Sequence, residues 1–110
     1  MNKTKIFLAD DHAIFLKGLT RVLEEDNSLE ITGTANDGNT ALEKILSIRP
    51  DIIIMDISMP GLNGLQVSEK LMETGHRFHI ILLTIYSEEE IFRQALQFNV
   101  KGYVLKDQIA

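Results

Sequence analysis

The sequence predicts an α/β fold, a doubly wound five-stranded parallel sheet with helices on both faces. Three observations carry that expectation. Five short β-rich apolar runs alternate with stretches of helical periodicity along the 110 residues. The first, third and fourth runs are continuous rather than alternating, as strands buried on both faces are. The connections between runs and periodic stretches are short, so right-handed βαβ crossovers are the natural linkage.

Taken in order, the apolar runs are residues 6–9, 29–35, 52–55, 80–83 and 103–105. Between them, apolar side chains recur at three-and-four spacing: Phe15, Leu19, Val22 and Leu23; then Leu42, Ile45 and Leu46; then Val67 and Leu71; then Ile91, Ala95 and Leu96. Each set makes one apolar stripe on an amphipathic helix. Two helix starts carry a capping-box pattern, Asn63 with Gln66 and Ser87 with Glu90. Pro50 is expected to close the second helix and feed the third strand. The series ends four residues after Lys106 with no fifth helix. Residues 1–110 therefore read as one domain truncated before its last helix, or as one whose open face a partner or swapped segment covers.

Composition narrows the function. At 45% apolar and 25% charged the chain is a globular domain of ordinary size, and its longest apolar runs are four residues. A membrane span needs about 20. Without cysteine there are no disulfides, thiolate zinc sites or cysteine nucleophiles. The amino-terminal segment lacks the apolar core of a signal peptide, so a cytoplasmic location is expected. A net charge of −5 has the wrong sign for phosphate-backbone binding, so this segment is not expected to touch nucleic acid.

The informative feature is what ends the strands. Ligands of open parallel sheets bind beyond the carboxyl ends, where strand order reverses. Here the first run is followed by Asp10 and Asp11, the third by Asp56, the fourth by Thr84 and the fifth by Lys106. Were the order 2-1-3-4-5, the first and third strands would be neighbours and three carboxylates would meet. Such a cluster is tolerable around a hard dication, and Mg²⁺ suits carboxylate, water and phosphate oxygens. Each residue taken alone has a plainer reading: Asp11 as a helix N-cap, Thr84 as a strand former, Lys106 as a solvated strand end.

Together, Asp10-Asp11, the stretch Asp56-Ile57-Ser58-Met59-Pro60-Gly61-Leu62-Asn63-Gly64, Thr84 and the segment ending in Lys106 resemble the signature of bacterial two-component response-regulator receiver domains. The similarity spans the whole chain. The residues after Asp10 and around Lys106 further resemble the subfamily whose receivers are fused to a helix-turn-helix DNA-binding domain. The resemblance implies a flavodoxin-like sandwich of order 2-1-3-4-5, acting as a signalling switch rather than an enzyme with an external substrate. It implies Asp56 as phosphoacceptor, with the phosphoryl group coming from a sensor histidine kinase. Mg²⁺ would be held by Asp11, Asp56 and the Ser58 carbonyl, with Asp10 acting through water. Lys106 and Thr84 would contact the phosphoryl oxygens, and Tyr103 would be the aromatic that responds to movement of Thr84. Implied partners are the kinase, a second copy of the chain, and DNA through an output domain beyond residue 110.

Other readings are weaker. Haloacid-dehalogenase-like phosphatases share the aspartyl-phosphate chemistry but place an acid where Ser58 stands. A non-phosphorylatable pseudo-receiver would not need all five polar residues. Nucleotide-binding glycine motifs are absent. Gly61 and Gly64 are expected to serve the loop after Asp56. Bulky Ile85 is expected to shield the site. His12 is expected to face solvent at a helix start, and His76 and His79 to flank the fourth strand in a loop. Glu88, Glu89 and Glu90 read as a match to a helix dipole.

Overall fold

The computed structural model describes residues 2–85 and 89–108. Five parallel strands, β1 (Thr4–Ala9), β2 (Leu29–Ala35), β3 (Ile52–Asp56), β4 (His79–Thr84) and β5 (Gly102–Leu105), form one sheet in the order 2-1-3-4-5. Helices α1 (Ala13–Glu24), α2 (Gly38–Ile48), α3 (Gly64–Glu73) and α4 (Glu89–Gln97) connect them in turn. After β5 the chain continues as a single 3₁₀ turn, Lys106–Gln108. Among the described residues no helix is long and apolar enough to cross a membrane.

Alternation along the strands sorts the core. Phe7, Ala9, Ile53, Met55, Ile80 and Leu82 face α2, α3 and α4, where Ala41, Ile45, Val67, Leu71 and Ala95 complete a cluster closed to solvent. The intervening residues Ile6, Leu8 and Leu83 are buried on the other face, the face that takes α1 in a doubly wound sheet. Coverage there is thinner. No residue of α1 is fully buried, and Ile52, Ile54, Ile81 and Val104 stay half-buried.

The capping box at α3 forms as the spacing predicts: Asn63 Oδ1 accepts from the Gln66 N–H and Gln66 Oε1 from the Asn63 N–H, both at 2.8 Å. The corresponding Ser87 pattern, and Glu88 with it, lie outside the described residues; Glu89 and Glu90 occupy the first turn of α4. Other expectations shift. Helix α2 is closed by Arg49 in the left-handed region (φ 53°), one residue before Pro50. The stripes are also broader than the buried faces, because Val22, Leu46 and Leu96 are exposed. His79 belongs to β4 rather than to the preceding loop.

Candidate functional site

The sheet register brings the strand ends together. Ala9 of β1 pairs with Met55 of β3, Asp56 with Leu83 of β4, and Thr84 with Leu105 of β5. The residues that follow therefore share one edge. Asp10, Asp56 and Thr84 are 1–2% exposed, a burial unusual for the two carboxylates and expected only where partners exist. Backbone N–H groups fix two of them: Asp10 Oδ1 accepts from the His12 N–H at 2.8 Å, and Asp56 Oδ1 from the Ser58 N–H at 3.2 Å.

Lys106 closes the cluster. Its Nζ donates to Asp56 Oδ2 at 2.9 Å and lies 2.8 Å from Asp10 Oδ2. The second contact is an ion pair without good hydrogen-bond direction, which leaves Asp10 Oδ2 buried with no hydrogen bond. The ammonium also sits 4.7 Å from the centre of the Phe15 ring, so the charge of the residue that follows β5 lies over an aromatic of α1. That support was not visible in the sequence, where Phe15 reads only as part of an apolar stripe.

The electrostatics follow from this packing. Burial pushes the Asp56 carboxyl above the usual carboxylate range; the Lys106 hydrogen bond opposes the rise, the Asp10 charge adds to it, and the Ser58 N–H opposes it. Burial alone would lower the Lys106 ammonium, but its contacts with Asp10 and Asp56 outweigh this and raise it above the usual lysine value.

Asp11 is not a helix cap. The N-cap of α1 is His12, which makes no side-chain capping bond, so Asp11 is left at the mouth of the cluster. His12 itself departs from expectation. Its side chain is 61% exposed, yet its Nδ1 turns inward, 3.1 Å from Asp10 Oδ1, 3.4 Å from Asp11 Oδ1, 3.7 Å from Asp56 Oδ2 and 3.0 Å from Lys106 Nζ. Ligand atoms of Asp10, Asp11, His12 and Asp56 all lie within 4.8 Å of one another. The only warning in the sequence was position, one residue after the acidic pair.

The loop after Asp56 is packed tightly enough to explain its glycines. Gly61 takes φ 76°, and a Cβ at Gly64 would come within 2.5 Å of the Asp56 carbonyl oxygen. The loop also leans on α2, where the Gly38 N–H donates to the Pro60 carbonyl at 3.1 Å. Tyr103 is half-buried, its ring edge-on to Phe92 of α4 at 5.3 Å between centres.

This edge can hold a divalent cation beside a partly shielded carboxylate, with a lysine poised over both. Residues 6–109 match the response regulator receiver domain family. The chain belongs to that family. The oxygen regulatory protein NreC of Staphylococcus haemolyticus is 39% identical over 104 residues, covering 94% of this chain and 48% of that protein. The receiver thus spans about half the length of the curated relatives it matches. Among solved structures, the signal receiver domain of the response regulator NarL from Mycobacterium tuberculosis superposes with a TM-score of 0.94 at 34% identity, covering 98% of this chain and 87% of that one. A LuxR-family DNA-binding response regulator from Staphylococcus aureus superposes at 0.91 and 26% identity, covering 96% and 88%.

Proposed function

We propose that this receiver is a phosphorylation-dependent switch in which Asp56 accepts a phosphoryl group from a phosphohistidine of a sensor histidine kinase. The observation that carries the reading is the buried Asp56 carboxylate held between a lysine and a second buried acid at the switch point of the sheet. In the transfer an Asp56 oxygen attacks phosphorus, the P–N bond breaks, and the donor imidazole leaves with the electron pair. A carboxylate is a weak nucleophile, so positioning and charge neutralisation do the work.

The residues present fit Mg²⁺. The hard oxygens of Asp10, Asp11 and Asp56 lie close together, and buried Asp10 Oδ2 lacks a hydrogen bond. Asp11, Asp56 and the Ser58 carbonyl would hold the ion, with Asp10 acting through water. Bound there, Mg²⁺ offsets charge gathering on the phosphoryl oxygens. Lys106 then exchanges its carboxylate contacts for a phosphoryl oxygen, and Thr84 hydrogen-bonds another. Movement of Thr84 is read out by Tyr103, which shares its face of the sheet and already touches α4 through Phe92. A cytoplasmic setting, a further helix and a DNA-binding output domain beyond residue 110, and pairing with a second copy complete the proposal.

The test is intact mass after incubation with Mg²⁺ and a small phosphodonor, beside Asp56→Asn and a metal-free control. One added phosphoryl group requiring both Mg²⁺ and Asp56 is the expected result. A folded sample that gains no phosphoryl group and binds neither Mg²⁺ nor beryllofluoride would instead be a pseudo-receiver used for protein contacts.

A further inference from the structure

The Lys106 ammonium is held by partners of two kinds. The first are charges, Asp10 Oδ2 at 2.8 Å and Asp56 Oδ2 at 2.9 Å. Those carboxylates are also the groups that would hold a divalent ion, and an ammonium beside a shared carboxylate feels the ion's repulsion as well as the acid's attraction. Their grip on Lys106 therefore loosens when the site is loaded. His12 Nδ1 lies 3.0 Å away, but on a side chain 61% exposed, where water competes for the contact. The second kind is the Phe15 ring of α1, its centre 4.7 Å from Nζ. Its face attracts the ammonium through the ring quadrupole and offers a phosphoryl group nothing, so this contact is not surrendered as the reaction proceeds. A long, flexible lysine stem otherwise gives the ammonium many places to go.

We propose that Phe15 is a positioning residue for phosphoryl transfer, keeping the Lys106 ammonium over Asp56 while the carboxylates give up their hold on it. The inference rests on the reading of Asp56 as phosphoacceptor. With acetyl phosphate as donor, an Asp56 oxygen bonds to phosphorus, the bond from phosphorus to the acetyl oxygen breaks, and acetate leaves with the electron pair. Lys106 neither gains nor loses a proton; it supplies charge in the right place.

The experiment replaces Phe15 by leucine and, to keep the shape while draining charge from the ring face, by trifluorophenylalanine. Each chain is made with Lys106 and with Lys106→Met, and its gain in mass from acetyl phosphate and Mg²⁺ is followed over time. With Lys106 present, both replacements are expected to slow the gain on the order of three- to tenfold, as loss of a partly desolvated cation–π contact implies. With Lys106→Met, the three side chains at position 15 are expected to give the same residual rate. A second readout needs no transfer. The ε-protons of Lys106 are expected upfield of those of the other lysines in NMR spectra, because they lie over the ring, and to stay there when MgCl₂ is added. A rate untouched by the trifluoro ring, or an equal slowing with Lys106→Met, makes Phe15 a packing residue and overturns the role. Loss of the upfield shift on adding MgCl₂ overturns it too. A folded wild type that takes no phosphoryl group removes the reading of Asp56 and this role together, whatever the ring shift.

Discussion

The two edges of the sheet carry similar residues in opposite states. At the carboxyl edge, Asp10, Asp56 and Lys106 are drawn into the protein, with the Lys106 side chain only 9% exposed. At the amino edge, Asp51 accepts the Lys5 N–H at 2.8 Å, Arg49 contacts His76 at 3.0 Å, and Lys101 stands beside β5, all in solvent. Exposed contacts of this kind contribute little, whereas buried charges depend on every partner. Acid and base at a strand end are therefore uninformative until burial is known.

The sharpest way to break this comparison is to remove one lysine from each edge. Lys106→Met leaves Asp10 and Asp56 facing each other with no counter-charge. It is expected to cost about 3 kcal/mol in chemical unfolding at neutral pH without divalent ions. Lys101→Met is expected to stay within about 0.5 kcal/mol. Equal effects would show that the carboxyl edge is as well solvated as the amino edge.

Two glycines give effects of opposite sign. Gly64→Ala drives a methyl against the Asp56 carbonyl and is expected to destabilise by about 1–3 kcal/mol. Gly18, midway along α1, has open space where a Cβ would go, so Gly18→Ala is expected to stabilise by about 0.5–1 kcal/mol. Thermal unfolding of both variants checks the pair.

A subtler contrast comes from acids. The Asp56 carboxyl is raised above 3.8 in the folded chain, so the fold binds that proton more tightly than the unfolded chain does. Its contribution to stability is present below pH 3.8 and is lost as pH rises from there through the folded value. At neutral pH, without divalent ions, ionised Asp56 opposes folding. Asp56→Asn is thus expected to raise the unfolding midpoint there, with the gain vanishing towards pH 3.8. Asp51→Asn keeps an oxygen for the Lys5 N–H and is expected to change stability by less than about 0.5 kcal/mol. Lys106 adds a dependence of the same sign at higher pH: raised above 10.5, it stabilises below that pH and ceases to do so as pH climbs through its folded value.

A kinetic rather than a stability effect is expected at Ile85, which follows Thr84 and is 68% exposed. Ile85→Ala is expected to speed loss of the phosphoryl group by less than about tenfold, or 1.4 kcal/mol. Retention time of the mass adduct measures it, and an unchanged or slower rate removes the shielding role.

How much was legible follows from the range of each interaction. The strands, the alternation with helices, the Asn63 capping box and the acids, threonine and lysine at strand ends are local patterns of residue type and spacing. The sequence by itself determined them, because strand period, helix period and capping act over a few neighbouring residues. Contacts between distant segments were decided by the tertiary structure alone. Phe15 beneath Lys106 joins α1 to the end of β5, and the turn of His12 into the acids depends on where β3 and β5 end. The same is true of burial: nothing local distinguishes Val22, exposed on α1, from Ile45, closed in on α2. Which face a helix presents, and which charge loses its water, is set by what packs across from it.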